Sequence, residues 1–136
     1  MIVTPTSKVE DDDLYEQQLK FLKEVFLTDL LYKKQLKYEL FKLRYESLRD
    51  DADQDKIKDQ ERELEAKIQG KGSVIELILS LMDTDKAWLI KKCYWDSESK
   101  INNQWYLEYF SKTTFYKRKR EAVKQFVDFY FSYGDE

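Results

Sequence analysis

Residues 14–48 read LYEQQLKFLKEVFLTDLLYKKQLKYELFKLRYESL. Within them Tyr15, Leu19, Leu22, Phe26 and Leu30 recur at spacings of 4-3-4-4, and Leu36, Leu40 and Leu43 resume at 4-3. That is the period of one helix face. No glycine or proline interrupts the stretch, so it predicts a rod of roughly 55 Å at ~1.5 Å per residue. The Leu19, Leu22, Phe26 and Leu30 stripe is expected to be buried, since in solvent it would form a large apolar patch. A second apolar set, Phe21, Val25, Leu31, Phe41 and Leu48, lies off the first. A helix apolar on more than one stripe is either central in a bundle or paired with another chain.

Outward from this rod, residues 1–10 hold Pro5 and no periodicity, and they read as a tail. Asp11–Asp13 and Glu16 supply acidity suited to a helix start. The apolar pattern lapses over Asp50–Gln60 and resumes thinly at Ile57, Leu64 and Ile68 before Gly70-Lys71-Gly72, a C-terminal stop. A hairpin of two helices and one continuous helix to Gln69 both fit this pattern. Beyond the glycines, Ser73 and Glu76 form a capping box for a short apolar helix to Met82. Asp83-Thr84-Asp85 opens another helix to about Trp95. Ser97–Lys100 makes a polar break, and a helix with Trp105, Leu107, Tyr109 and Phe110 follows. Ser111 then precedes a last helix to about Phe131. Three glycines and one proline in 136 residues are too few for the turns of an all-β fold. The expected fold is all-α: a tail (1–10), a long helix or helical hairpin (11–72), and a short-helix array containing a helix-turn-helix (73–136) packed on it.

Composition narrows the chemistry. The chain has no histidine and one cysteine, Cys93, which removes His-based triads, His-bearing metal sites, internal disulfides and thiolate zinc cages. No catalysis and no cofactor are therefore expected. Asp51-x-Asp53-x-Asp55 resembles the start of a calcium loop, but the sixth position is Lys56 and the twelfth Arg62, where such loops need Gly and Glu. A solvated acidic connector is the better reading. The longest near-apolar run, Val74–Met82, is broken by Glu76 and Ser80 and falls far short of the ~20 residues of a membrane span. Met1 to Pro5 followed by acidic residues does not read as a signal peptide. A soluble, cytoplasmic protein without a membrane partner is expected.

The most informative stretch runs from Ser111 to Phe126. Phe115, Ala122, Phe126 and Phe129 form an apolar face, while Thr113, Lys117, Arg120 and Lys124, flanked by Tyr116, form the opposite one. Ser111 is placed to cap the helix, directing its free N–H groups to where phosphates would sit. Residues 86–124 hold ten Lys or Arg against four acids, +6 within a chain of net charge -3. Asp50–Glu65, with eight acids against three bases, would be repelled by nucleic acid, so any such surface lies at the C-terminal end. The tryptophans Trp88, Trp95 and Trp105 could stack bases, though core packing accounts for them better.

The residues Trp105, Tyr109-Phe110-Ser111, Thr113 to Lys119 and Glu121-Ala122 resemble the C-terminal part of ArpU-type phage late-gene transcription regulators. That part is similar to the helix-turn-helix of sigma factors. The resemblance covers about a third of the chain, from Trp88 to Phe131, and this sequence departs from it by carrying Tyr109 where the family has Gly or a small residue. It implies a recognition helix in which Lys112, Thr113, Tyr116, Lys117 and Arg120 face DNA while Phe115 and Ala122 pack. The expectation is a transcription regulator that binds double-stranded DNA through Lys112, Thr113, Tyr116, Lys117, Arg120 and Lys124. RNA polymerase and a second copy, through residues 14–48, are the protein partners this reading allows. Its rival is a helical interaction or scaffold protein whose long N-terminal helix is the working part. Because Tyr109 and Phe110 would be strained at positive φ, the turn is expected to keep φ negative, with Phe110 wedged between the last two helices.

Overall fold

The computed structural model describes residues 5–95 and 104–133, with side chains from residue 11 onward. The polar break expected at Ser97–Lys100 lies outside the described residues, as do residues 1–4. Helix α1 is Pro5–Glu46, α2 Gln54–Ile68, α3 Val74–Leu81, α4 Thr84–Ile90 and α5 Lys112–Tyr133. A π-helical turn, Lys91–Trp95, follows α4, and a 3₁₀ turn, Trp105–Glu108, precedes α5. No strand occurs among the described residues. The all-α class and the long N-terminal helix are as the periodicity predicts.

Helix α1 begins earlier than expected. Pro5 is its first described residue, and a proline is tolerated in the first turn because the N–H it lacks has no intrahelical partner there. Asp11–Asp13 therefore stand inside the helix rather than at its cap, and residues 5–10 are not a tail. The end of α2 is set by glycine. Gly70 has φ 82°, its N–H donates to Lys67 O, and Lys71 N–H donates to Ala66 O. This pair of bonds is a Schellman closure. Asp53 caps the start of α2 by accepting from Lys56 N–H at 3.2 Å. Ser73 Oγ caps α3 by accepting from Glu76 N–H at 3.1 Å, one half of the predicted capping box.

The chain forms two compact units that share α1, residues 1–26 with 78–136 and residues 27–77. The division between them falls after Phe26 in α1 and after Leu77 in α3. In the 27–77 unit, α1 and α2 make the hairpin. Arg44 Nη2 pairs with Glu65 Oε1 at 3.0 Å, Gln54 Nε2 donates to Ser47 O at 2.9 Å, and Leu36, Leu40 and Ile57 are buried. A single helix to Gln69 is excluded.

The unit of residues 1–26 and 78–136 holds the larger core. Leu22 and Phe26 of α1, Leu89 and Ile90 of α4, and Ala122, Val123 and Phe126 of α5 are buried. The Phe26 ring meets those of Phe126 at 5.6 Å and Tyr94 at 5.8 Å. The predicted stripe on α1 is followed only in part: Leu22 and Phe26 are buried, Leu19 is half-buried and Leu30 is 40% exposed. Successive steps of four precess by about 40° round the helix, so Leu30 drifts off the line. The 4-3 line instead passes through Asp29 and Lys33, which bridge each other at 2.9 Å with side chains 13% and 15% exposed.

Candidate nucleic-acid interface

The C-terminal helix begins at a real turn. Tyr109 has φ −116° and ψ −31°, and no described non-glycine residue has positive φ, so the chain bends without the glycine conformation. Phe110 N–H and Tyr109 N–H both donate to Tyr106 O, at 2.8 and 2.9 Å. Ser111 Oγ accepts from Thr114 N–H at 3.2 Å, capping α5 as its sequence position predicts.

The element before that turn differs from expectation. Trp105, Leu107, Tyr109 and Phe110 do not share a helix; Trp105–Glu108 makes one 3₁₀ turn. The ring wedged against α5 belongs to Tyr106, stacked on Phe115 at 3.9 Å with an interplanar angle of 5°. Phe110 is half-buried and lies against Trp88. Trp88, Trp105 and Tyr109 meet edge to face at 5.2–6.4 Å. A dense aromatic cluster, with its preference for edge contacts, has overridden the helical spacing here. The tryptophan rings Trp88 and Trp105 are engaged in it rather than presented for stacking on bases.

Along α5, Phe115, Ala122, Val123, Phe126 and Val127 are buried, and Phe129 is half-buried. The six side chains singled out for DNA, Lys112, Thr113, Tyr116, Lys117, Arg120 and Lys124, are all exposed. They do not form one open face. Arg120 Nη2 pairs with Asp12 Oδ1 at 2.6 Å, and its guanidinium lies over the Tyr15 ring at 4.5 Å. Both partners belong to α1, which reaches α5 at this point. Burial pushes the Tyr15 hydroxyl up, and Arg120 pulls it the other way. The neighbouring cations are also turned onto the fold: Arg118 lies near Asp85 at 3.9 Å and over Phe110, and Lys119 lies over Tyr94 at 5.7 Å. Lys86 is paired with Asp83 at 3.2 Å. Hydrogen bonding from Lys86 and then from Gln125 holds the Asp83 carboxyl below its ordinary range.

What remains outward at the start of α5 is Lys112, Thr113, Tyr116 and Lys117, with Lys124 two turns further along. Arg118, Lys119 and Arg120 thus form more of an intramolecular clasp than the basic run suggests in sequence. The sequence signal that could have revealed this is the triplet Asp11–Asp13 beside Tyr15, an acidic and aromatic patch on a helix facing the C-terminal array.

Burial pushes the Cys93 thiol up to about 11, which leaves it protonated and a poor nucleophile. The groove between α1 and α2 is lined by Glu39, Lys42, Glu46, Glu63 and Lys67 around Leu43 and Leu64, side chains that can meet one another's charge. No cluster of potential metal ligands occurs among the described residues, and none of their helices is long and apolar enough to cross a membrane. The chain matches no protein-family model, curated protein or solved structure.

Proposed function

We propose that the protein is a transcription regulator that binds double-stranded DNA through the N-terminal half of α5, without catalysis. The observation that carries this reading is the Ser111-capped start of α5, where Lys112, Thr113, Tyr116 and Lys117 stand exposed together. Free N–H groups of the first turn favour a phosphate there, and Lys112, Lys117 and Lys124 would add charge along the backbone. Thr113 is the side chain left to meet base edges, joined by Tyr116 only if its hydroxyl parts from that of Tyr106. Arg120 would contribute only after parting from Asp12.

The test is fluorescence anisotropy of a labelled duplex titrated with the full chain at low salt. Binding is expected for the wild type and a loss of at least tenfold for Lys112→Ala/Lys117→Ala, given that each phosphate contact adds to the electrostatic term. Absence of duplex binding at low salt would contradict the reading. An interaction protein, the rival reading, is favoured by one observation, the open apolar face of α1.

A further inference from the structure

The second half of α1 carries a face that its own unit leaves open. Leu27, Leu31, Tyr38, Phe41 and Tyr45 are 53%, 56%, 58%, 67% and 69% exposed. Their numbers fall on one alternation of threes and fours, 27-31-34-38-41-45, whose missing member is Lys34. This is the seam of a coiled coil, in which every such position meets a neighbouring helix, and it runs for roughly 27 Å. The same helix buries a different line, Leu36 and Leu40, in its own unit. The open seam is therefore a second line, additional to the one the hairpin uses.

Charge decides what can lie on it. Of the six positions that flank the seam, Lys37, Lys42 and Arg44 are cationic and Thr28, Leu30 and Gln35 are uncharged, with Lys34 inside it; Arg44 is already bridged to Glu65 and Lys42 lies over Tyr38. No acid occupies a seam or flanking position between residues 27 and 45; Asp29 and Glu39 lie on the remaining faces. A parallel second copy would set Lys37 against Lys42, and an antiparallel one with the seams aligned would set Lys37 against Lys37; like charges at flanking positions select against pairing. The acidic helix α2 of another copy would not serve, because Ile57 is buried and Leu64 and Ile68 are half-buried in its own hairpin.

We infer that the open face of α1 between Leu27 and Tyr45 docks an acidic amphipathic helix of a different protein. Leucine-like residues of that helix would fill the seam, and carboxylates would flank it opposite Lys37, Lys42 and Lys34. The inference takes the interaction reading to a class of partner and is independent of DNA binding by α5.

The experiment uses the full chain and two synthetic three-heptad peptides. Both carry Ile and Leu in the seam; one has Glu at every flanking position and the other Lys. Isothermal titration is expected to show binding of the Glu peptide and at least tenfold weaker binding of the Lys peptide, as charge patterning at these positions sets partner choice. Lys37→Glu/Lys42→Glu should reverse that preference, and Phe41→Ser should weaken both peptides while leaving the helical signal and melting temperature unchanged. Equal binding of the two peptides, or no binding of the Glu peptide, overturns the inference. Self-association of the wild type that Phe41→Ser abolishes overturns it in favour of a second copy. Binding to anionic vesicles in place of the Glu peptide overturns it in favour of a lipid surface. In these two outcomes α1 is still an interaction surface, whereas failure of all three partners removes the interaction reading as well.

Discussion

The two units divide their apolar residues differently. Among the described residues, fourteen of the eighteen buried apolar side chains belong to the unit of residues 1–26 and 78–136, and four to residues 27–77. The smaller unit instead leaves Leu27, Leu31, Phe41 and Tyr45 in solvent. The larger unit buries Phe26, Tyr106, Phe115 and Phe126 while leaving Tyr109, Tyr116, Phe131 and Tyr133 exposed; the smaller unit holds all its aromatic residues, Tyr32, Tyr38, Phe41 and Tyr45, on a helix surface. The same kind of sequence, rich in Leu, Tyr and Phe at helical spacing, can therefore encode either a core or an open face. What decides is whether a second apolar element is available to cover it.

The sharpest break of this contrast comes from matched phenylalanine substitutions. Phe126→Ala in the larger core should lower stability by about 3–5 kcal/mol, because it deletes a wholly buried ring. Phe41→Ser, at 67% exposure, should change stability by less than about 0.5 kcal/mol. Urea melts of the two variants measure both. A comparable loss at Phe41 would mean that its face is covered.

A smaller effect probes the larger unit through its cysteine. Burial raises the Cys93 thiol to about 11 in the folded chain from an ordinary value of 9.0. The unfolded thiol therefore loses its proton first, and stability should fall as pH rises from about 9 to about 11, by roughly 2–3 kcal/mol. Cys93→Ala should lack this share of the alkaline loss, which denaturant melts across that pH range would show. The same burial predicts that a thiol reagent at pH 8 labels the native chain at least tenfold more slowly than the urea-unfolded one.

Smaller again is the cap. Ser111→Ala should cost about 1 kcal/mol by removing the acceptor of the Thr114 N–H, measured by thermal melting. At the low end, Arg44→Ala should cost less than about 0.5 kcal/mol, since the Arg44–Glu65 bridge is more than a third exposed on both sides and such pairs contribute little.

Much of the fold was legible because burial obeys the helix period and because caps are local. The burial of Leu22 with Phe26 and of Leu36 with Leu40, the Gly70 stop and the Ser73 and Ser111 caps each depend on residues within a few positions of one another. The candidate site was legible only as a list of exposed cations. Arg120 meets Asp12 across 108 positions of sequence, and Arg118 and Lys119 find aromatic partners on other elements. Those pairings follow from where α1 and α4 lie against α5, which no local spacing encodes. The 3₁₀ turn at Trp105–Glu108 was illegible for a related reason: stacking of Tyr106 on Phe115 sets the local geometry from outside the segment.

The same clasp supplies the most direct test of the proposed role of α5. The quantity to measure is the slope of log binding constant against log salt for a duplex, in the wild type, in Lys117→Ala and in Asp12→Ala. In Lys117→Ala the slope should be shallower by about one unit, one phosphate contact being lost. In Asp12→Ala binding should be tighter and the slope steeper, because Arg120 is released from its carboxylate to join the cationic face. Slopes unchanged in both variants would contradict DNA binding by this helix.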